Sequence, residues 1–151
     1  MSYSPVSFNP ESTGTAEGVQ TTYTNASGSV PIPQAMACSV NSAGLITPLD
    51  VSSQASVNNM VGYASSRIPA STAGQVISNG RLKLYTNSNS YALGTPLYIG
   101  TDGNPTNIVP SVGVNSFVSG DYCIFLGVIV PNEITPSEFD ISLFTQIVGV
   151  L

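Results

Sequence analysis

Hydrophobic and polar residues along this chain alternate in short runs, a pattern typical of β-strands. No window keeps apolar residues at the i, i+3, i+4 and i+7 spacing of a helix, and glycine or proline interrupts every candidate. Runs rich in β-branched and aromatic residues, bounded by Gly, Pro, Asn, Asp or Ser, predict strands. They cover residues 35–40, 44–47, 60–64, 75–78, 81–86, 96–99, 122–130 and 139–150. We therefore predict an all-β chain.

One turn and the run after it carry the strongest local signal. Asn79-Gly80 favours a type I′ hairpin turn, because that turn requires positive φ at both central residues. We therefore predict a hairpin between the runs 75–78 and 81–86. In the second run Arg81 and Lys83 alternate with Leu82, which predicts leucine towards the core and basic residues on a solvated face. All three basic residues of the chain, Arg67, Arg81 and Lys83, lie near this hairpin, and they either guard a sheet edge or form a docking patch for an acidic partner.

The two halves of the chain show the same order of signals, which indicates an internal repeat. In the first half an apolar run at 33–38 precedes a turn at 41–44, a strand around Gly62 and a run at 73–77. The second half has the corresponding signals at 93–99, 102–103, Gly127 and 138–141. Its spacing is longer before Gly127, and we place the excess in the soft stretch 111–120, where a loop insertion is tolerated. We predict two similar β units in one body.

Charged residues make up only 7% of the chain, against about 25% in typical soluble domains. With three basic residues and a formal net charge of -5, the chain cannot neutralise a row of phosphates, so we exclude nucleic acid as a partner. Its apolar runs are shorter than the roughly 20 residues that a membrane helix requires, so we expect no membrane association. The first residues lack the pattern of a secretory signal, and we expect synthesis in a cytoplasm.

The first thirty residues differ from the rest, because they are rich in Ser, Thr and Gly and their apolar residues are scattered. We predict an extended N-terminal arm at 1–30 and a β-rich domain at 31–151. Alone, the arm could not bury enough apolar surface to offset its ordering entropy, so a neighbouring subunit would have to order it. If the arm docks on a partner, its anchors are Tyr3, Val6, Phe8 and Tyr23, since aromatic residues dominate interface energies.

The chain contains no histidine, which removes the commonest general base and metal ligand. The nucleophile elbow, the P-loop, the dinucleotide fingerprint and the zinc-protease helix are all absent from the sequence. Glu138 and Asp140 share one face of a predicted strand, and with Asp121 or Glu133 they could form a glycosidase-like acid pair. The favoured interpretation is a solvated strand end. We therefore predict no enzyme and assign no catalytic or cofactor-binding residue.

Two further groups of side chains could bind a metal ion or form a disulfide. Asp102, Asn104 and Thr106 could offer oxygen ligands to Ca²⁺, but Asp-Gly and Asn-Pro are ordinary turn formers, and the plain turn is favoured. Cys38 and Cys123 lie in apolar runs, which favours buried free thiols that act as small hydrophobic residues. A disulfide is possible but not implied. We predict no metal site and no cofactor.

Three segments carry a resemblance to a known family. They are Gly-Thr-Pro-Leu-Tyr-Ile at 94–99, Phe-Leu-Gly-Val-Ile at 125–129, and the closing run 141–149, which ends in glycine. In order and turn chemistry, roughly residues 31–151 resemble the small β-rich structural proteins of tailed bacteriophages, which comprise head decoration or cement proteins, head-fibre bases and tail-fibre modules. The resemblance implies a small β-barrel or β-tulip-like domain. Residues 136–151 depart from the family pattern, and the sequence does not place them.

The resemblance also implies a function. It implies a virion structural protein that decorates and stabilises a capsid by protein–protein packing, lies on the capsid surface, and is made in the host cytoplasm. Its expected partners are itself, as a homo-oligomer and most often a homotrimer, and the major capsid protein, and its arm would lie on the shell. The alternative is a head-fibre or tail-fibre module that binds a host-surface glycan or an adaptor protein.

Overall fold

The computed structural model describes residues 18–83, 92–132, 134 and 139–151. Within these residues the chain forms ten strands and one short helix. In chain order they are β1 (Gln20–Thr24), β2 (Ala37–Val40), β3 (Ile46–Pro48), α1 (Gln54–Asn58), β4 (Met60–Ala64), β5 (Ala73–Ile77), β6 (Gly80–Lys83), β7 (Pro96–Ile99), β8 (Pro105–Thr106), β9 (Tyr122–Pro131) and β10 (Phe139–Val150). The predicted all-β class is confirmed.

The strands form two five-stranded antiparallel sheets with the same topology. The strand order is β1-β5-β4-β2-β3 in the first sheet and β6-β10-β9-β7-β8 in the second. Adding five to each strand number of the first sheet reproduces the second, so the chain contains two β units as predicted. The expectation of a closed barrel is wrong, because each of the two sheets in the described part of the chain has two edge strands.

The first sheet curls until its two edges meet at one point. Just beyond β1, Asn25 forms a parallel bridge with Ile46 of β3. The Asn25 side chain is 2% exposed and donates to the carbonyl oxygens of Val30 at 2.9 Å and Ile68 at 3.2 Å. All five residues of β1 also pair with β5. The described part of the predicted arm, residues 18–30, is therefore built into the first sheet, whereas residues 1–17 lie outside the described residues.

The two units correspond residue by residue around one glycine each. The pairing of β2 with β4 and that of β7 with β9 both shift by one residue beside a glycine, Gly62 in β4 and Gly127 in β9. Both glycines have positive φ, +138° and +158°. An added Cβ would overlap the carbonyl oxygen of Ile77 at Gly62 and of Ser142 at Gly127. Glycine is therefore required where these bulged strands approach a neighbour.

Two clusters of buried residues form the core. The main core cluster joins the sheets, and it includes Tyr63 and Ile77 from the first sheet and Leu82, Leu97, Leu126, Ile129 and Ile141 from the second. The second core cluster lies within the first unit and comprises Ile32, Met36, Cys38, Ile46, Ala64, Ile68 and Val76. A hydrogen bond of 2.6 Å between the hydroxyls of Tyr63 and Thr145 also connects the two sheets.

The predicted hairpin at Asn79-Gly80 is wrong. Strand β5, before this turn, pairs with β1 and β4, whereas β6, after it, pairs with β10 in the other sheet. Positive φ at Gly80 turns the chain without forcing the flanking strands to pair. Leu82 instead joins the second sheet, where it lies opposite Ile141 and is fully buried. The turn is therefore the crossing point between the two units.

The other strand predictions are confirmed to within two residues at most ends, and residues 84–86 of the predicted sixth strand lie outside the described residues. The predictions missed β1, the two-residue β8 and helix α1. Helix α1 has only five residues, too few for a helical period, and Ser53 caps it by accepting a hydrogen bond from the Ser56 amide at 3.1 Å. The predicted loop insertion is confirmed, because residues 107–121 between β8 and β9 form a loop.

Candidate interaction surface

The C-terminal half of β10 is an open sheet edge. On one side β10 pairs with β9 from Phe139 to Val150. On its other side β6 covers only the stretch from Asp140 to Leu143. From Phe144 onward, no strand within the described ranges pairs with that side. This half of the strand therefore presents unpaired backbone groups.

Apolar side chains are exposed along this half-strand. Phe144 is 67% exposed, and Ile147, Val148 and Val150 are 52%, 61% and 60% exposed. Two register shifts in the pairing with β9 break the alternation of side chains, so the adjacent Ile147 and Val148 are both exposed. We call these four residues the strand surface. They lie in the segment 136–151 that the sequence did not place.

Backbone and side-chain hydrogen bonds hold the half-strand at both ends. At its C-terminal end the Leu151 amide donates to the Asp121 carbonyl at 2.8 Å, and the Gly120 amide donates to the Leu151 carbonyl at 2.7 Å. Near its beginning Thr145 bonds to Tyr63, which is fully buried. The strand surface therefore has a defined shape before any partner binds.

A groove of about 420 Å³ lies beside the strand surface, between the two sheets. One wall comes from β10, with Thr145 and Ile147, and the other from the first unit. The lining residues of that second wall are Val57, Met60, Val61, Gly62 and Ser78. Because most of these described lining residues are apolar, the groove suits an apolar side chain.

The loop between β8 and β9, residues 107–121, carries a second apolar surface. Its exposed members, which we call the loop surface, are Ile108, Val109, Val112, Val114 and Val118, at 39–59% exposure. Phe117 in the same loop is 1% exposed and belongs to the main core cluster. Burial of this ring fixes the middle of the loop to the body of the protein.

Hydrogen bonds and turns keep the loop in one shape. The Gly113 amide donates to the Phe117 carbonyl at 2.9 Å, and the Val118 amide donates to Asp121 Oδ2 at 2.9 Å. Asn115 and Ser116 lie in the left-handed region, with φ of 50° and 65°. Asp121 is 3% exposed and caps this turn, so its carboxylate has a structural role.

The basic residues of β6 do not lie on a solvated face. Lys83 and Asp140 are directly opposite each other in the sheet, and both are 0% exposed. Arg81 Nε lies 3.7 Å from Asp140 Oδ2, and Asn132 Nδ2 donates to Asp140 Oδ1 at 3.1 Å. The predictions of a solvated strand face, of a docking patch at Lys83, and of a solvated strand end at Asp140 are therefore wrong. The pairing register places Asp140 opposite Lys83, and the Asp140 carboxylate contacts Arg81 and accepts the Asn132 side-chain hydrogen bond.

The structure tests the possible calcium loop, but not the acid pairs that include Glu133 or Glu138. Glu133 and Glu138 lie outside the described residues, so the pairs that involve them are untested. Asp102 accepts hydrogen bonds from the Asn104 amide at 3.0 Å and from Asn104 Nδ2 at 3.1 Å, as expected of a plain turn. Within the described ranges, no three His, Cys, Asp or Glu residues are grouped so that they could hold a metal ion.

The two cysteines are free and buried, as predicted. Burial raises the pKa of the Cys38 thiol to about 12, although a backbone hydrogen bond from Ala64 lowers it in part. Burial also raises the pKa of the Cys123 thiol. Both groups therefore stay protonated and act as small hydrophobic residues.

Of the four predicted arm anchors, the structure describes one. Tyr23 lies in β1, is partly buried, and packs against the second core cluster of its own chain. Tyr3, Val6 and Phe8 lie outside the described residues.

Sequence reasoning missed the strand and loop surfaces, although an uncharged run from Ile141 to Leu151 and the valine-rich stretch 108–118 were available as signals.

No helix within the described ranges is both long and apolar enough to cross a membrane. Comparisons with protein-family models, curated proteins and solved structures found no match to this chain. The resemblance to phage structural proteins therefore stays a prediction.

Proposed function

We propose that this protein is a virion structural subunit that decorates a phage capsid and stabilises it by packing against the major capsid protein. The observation that carries the proposal is the loop surface, where five large apolar side chains are exposed within eleven consecutive residues. Apolar patches of several hundred Å² on a soluble protein mark interaction sites. The buried Phe117 fixes this patch in place, which lowers the entropy cost of docking.

The shortage of charge supports a contact of this kind. With 7% charged residues, the chain has few groups for electrostatic steering or for ion pairs, whose strength depends on salt. Contacts built from apolar area and neutral hydrogen bonds keep their strength as the salt concentration changes. Such contacts suit a shell that must survive outside the host.

The magnitude of the loop contact favours many copies or an oligomer. Burying the half-exposed loop surface is worth roughly 4–8 kcal/mol, at about 1.5–3 kcal/mol per fully buried side chain. Association itself costs about 4–15 kcal/mol. One copy therefore binds weakly through this surface alone, whereas a homo-oligomer that engages several sites gains avidity. Contacts from Tyr3, Val6 and Phe8 on the shell are part of this proposal.

Binding to depleted shells tests the proposal. The double substitution Val109→Asp/Val112→Asp changes residues that are 58% and 59% exposed. We expect it to reduce co-sedimentation with purified shells at least about tenfold, because docking would then bury two unpaired carboxylates. The matched control is Val19→Asp/Val30→Asp, at 56% and 60% exposure on another part of the surface. Equal binding by both double variants would refute a role for the loop surface.

Two measurements on whole particles separate the proposed function from the fibre alternative. Heat resistance should fall when shells lack the protein and return when it is added back. Copy number, measured by gel densitometry, should correspond to sites spread over the whole shell. A few copies per particle with unchanged heat resistance would instead favour a fibre module.

A further inference from the structure

We infer that the strand surface is a contact between two copies of this chain, related by a two-fold axis. The inference goes beyond the proposed function, because it concerns the isolated chain and a surface other than the loop. Its first basis is the open edge of β10, which begins where pairing with β6 stops at Leu143. Unpaired strand edges readily pair with another chain.

The other strand edges within the described ranges carry features that discourage pairing. Strand β6 has only four residues, β3 ends at Pro48, β8 begins at Pro105 and has two residues, and β1 has the polar sequence QTTYT. Charged residues, proline and short length are common protections of exposed edges. From Phe144 to Val150 the open half of β10 has neither charge nor proline. The two bulges in its pairing with β9 are the one feature of this half-strand that discourages edge pairing.

Charge favours a second copy as the occupant. Each chain carries a formal charge of -5, so two copies repel unless their contact avoids acidic groups. The sequence after Asp140 contains no charged residue, and a two-fold axis brings this neutral strand against itself. Phe144, Ile147 and Val148 then meet apolar side chains, whereas a basic or acidic partner would find no complementary charge here.

The contact area sets the expected strength. The eight strand-surface side chains of two copies bury roughly 500 Å² of apolar area, from about 60–120 Å² per full side chain. Specific, stable interfaces bury about 1,200–2,000 Å² in total, so a contact of this size is weak and transient. The two bulges also interrupt a continuous ladder of hydrogen bonds, so side chains carry most of the contact. We therefore expect a weak dimer at high micromolar concentration, which the crowding of neighbours on a shell would strengthen.

Sedimentation of the purified protein over a range of concentrations tests the inference. The wild-type chain should show a concentration-dependent dimer, and Val148→Asp should weaken it at least about tenfold, because each dimer would bury two carboxylates. The matched control is Val30→Asp, since Val30 is 60% exposed and Val148 is 61% exposed. Circular dichroism checks that both variants are folded. A monomer at every concentration, or equal effects of the two variants, overturns the inference.

Cross-linking locates the contact directly. Gln146→Cys places an exposed thiol on the open half-strand, and the native Cys38 and Cys123 are buried. Mild oxidation should give a covalent dimer with Gln146→Cys and much less with Val30→Cys. If deletion of residues 1–17 abolishes the dimer while Val148→Asp leaves it intact, the N-terminal segment forms the dimer contact, and pairing of the strand surfaces is refuted. Because these tests use no shells, they can fail independently of the decoration proposal.

Discussion

Substitution of Gly62 by alanine adds one methyl group where β4 passes the end of β5. The new Cβ would overlap the Ile77 carbonyl oxygen and lie 2.8 Å from the Ile77 carbonyl carbon and 2.9 Å from Ser78 Cα. All three atoms belong to the backbone, so no side-chain rotation can relieve the overlap. The φ of +138° at this position is also unfavourable for an L-residue with a side chain. Gly62→Ala must therefore separate β4 from β5 or rotate the chain at residue 62.

Two costs add up in this variant. Positive φ costs a non-glycine residue roughly 1–2 kcal/mol, and forcing extra volume into a packed site costs roughly 1–3 kcal/mol. We expect Gly62→Ala to lower the free energy of unfolding by about 2–5 kcal/mol. Because domains are stable by only about 5–15 kcal/mol, the loss should be obvious in a melting curve.

Urea unfolding followed by circular dichroism measures the effect, and two other glycines separate its causes. Gly44 has φ of +79° and no atom within 4 Å of an added Cβ, so Gly44→Ala should cost about 1–2 kcal/mol from backbone strain alone. Gly149 has open space and no positive φ, so Gly149→Ala should be nearly neutral. If Gly62→Ala unfolds at the same urea concentration as Gly149→Ala, the reasoning about the bulged strand is wrong. Gly127→Ala should behave like Gly62→Ala.

Two further predictions concern buried ionisable groups. The pKa of Cys38 is raised by burial from 9.0 to about 12, so its stabilising contribution is complete below pH 9 and is lost as the pH rises towards 12. The free energy of unfolding should fall over this range, by up to about 1.4 kcal/mol per pH unit from this group. In Cys38→Ala it should fall less steeply with pH. Equal slopes in the two proteins would contradict the prediction. Arg81→Ala should cost about 3–5 kcal/mol in urea unfolding, because the fully buried Asp140 would lose the cation whose Nε lies 3.7 Å from its Oδ2. The exposed Arg67→Ala should change stability by less than about 0.5 kcal/mol. A loss at Arg81 no larger than at Arg67 would refute a structural role for the contact between Arg81 and Asp140.

The amino-acid sequence by itself determined the features that depend on local pattern. Alternating apolar runs identified most strands, and the repeated order of turns and glycines indicated two units. The burial of Leu82 and of both cysteines also followed from their apolar neighbours. These features depend on side-chain alternation and turn chemistry, which act over a few residues. They are therefore the same whichever strands become neighbours.

Only the tertiary structure decided which strands pair and which edges stay open. Asn79-Gly80 favours a hairpin locally, but β6 pairs with β10 in the other sheet, where Leu82 is fully buried. The same pairing buries Lys83 opposite Asp140 and, because β6 begins at Gly80, leaves β10 open from Phe144 onward. Neither the burial of these two charged residues nor the strand surface has a local signature. Both depend on the register between strands almost sixty residues apart in the chain, which periodicity cannot specify.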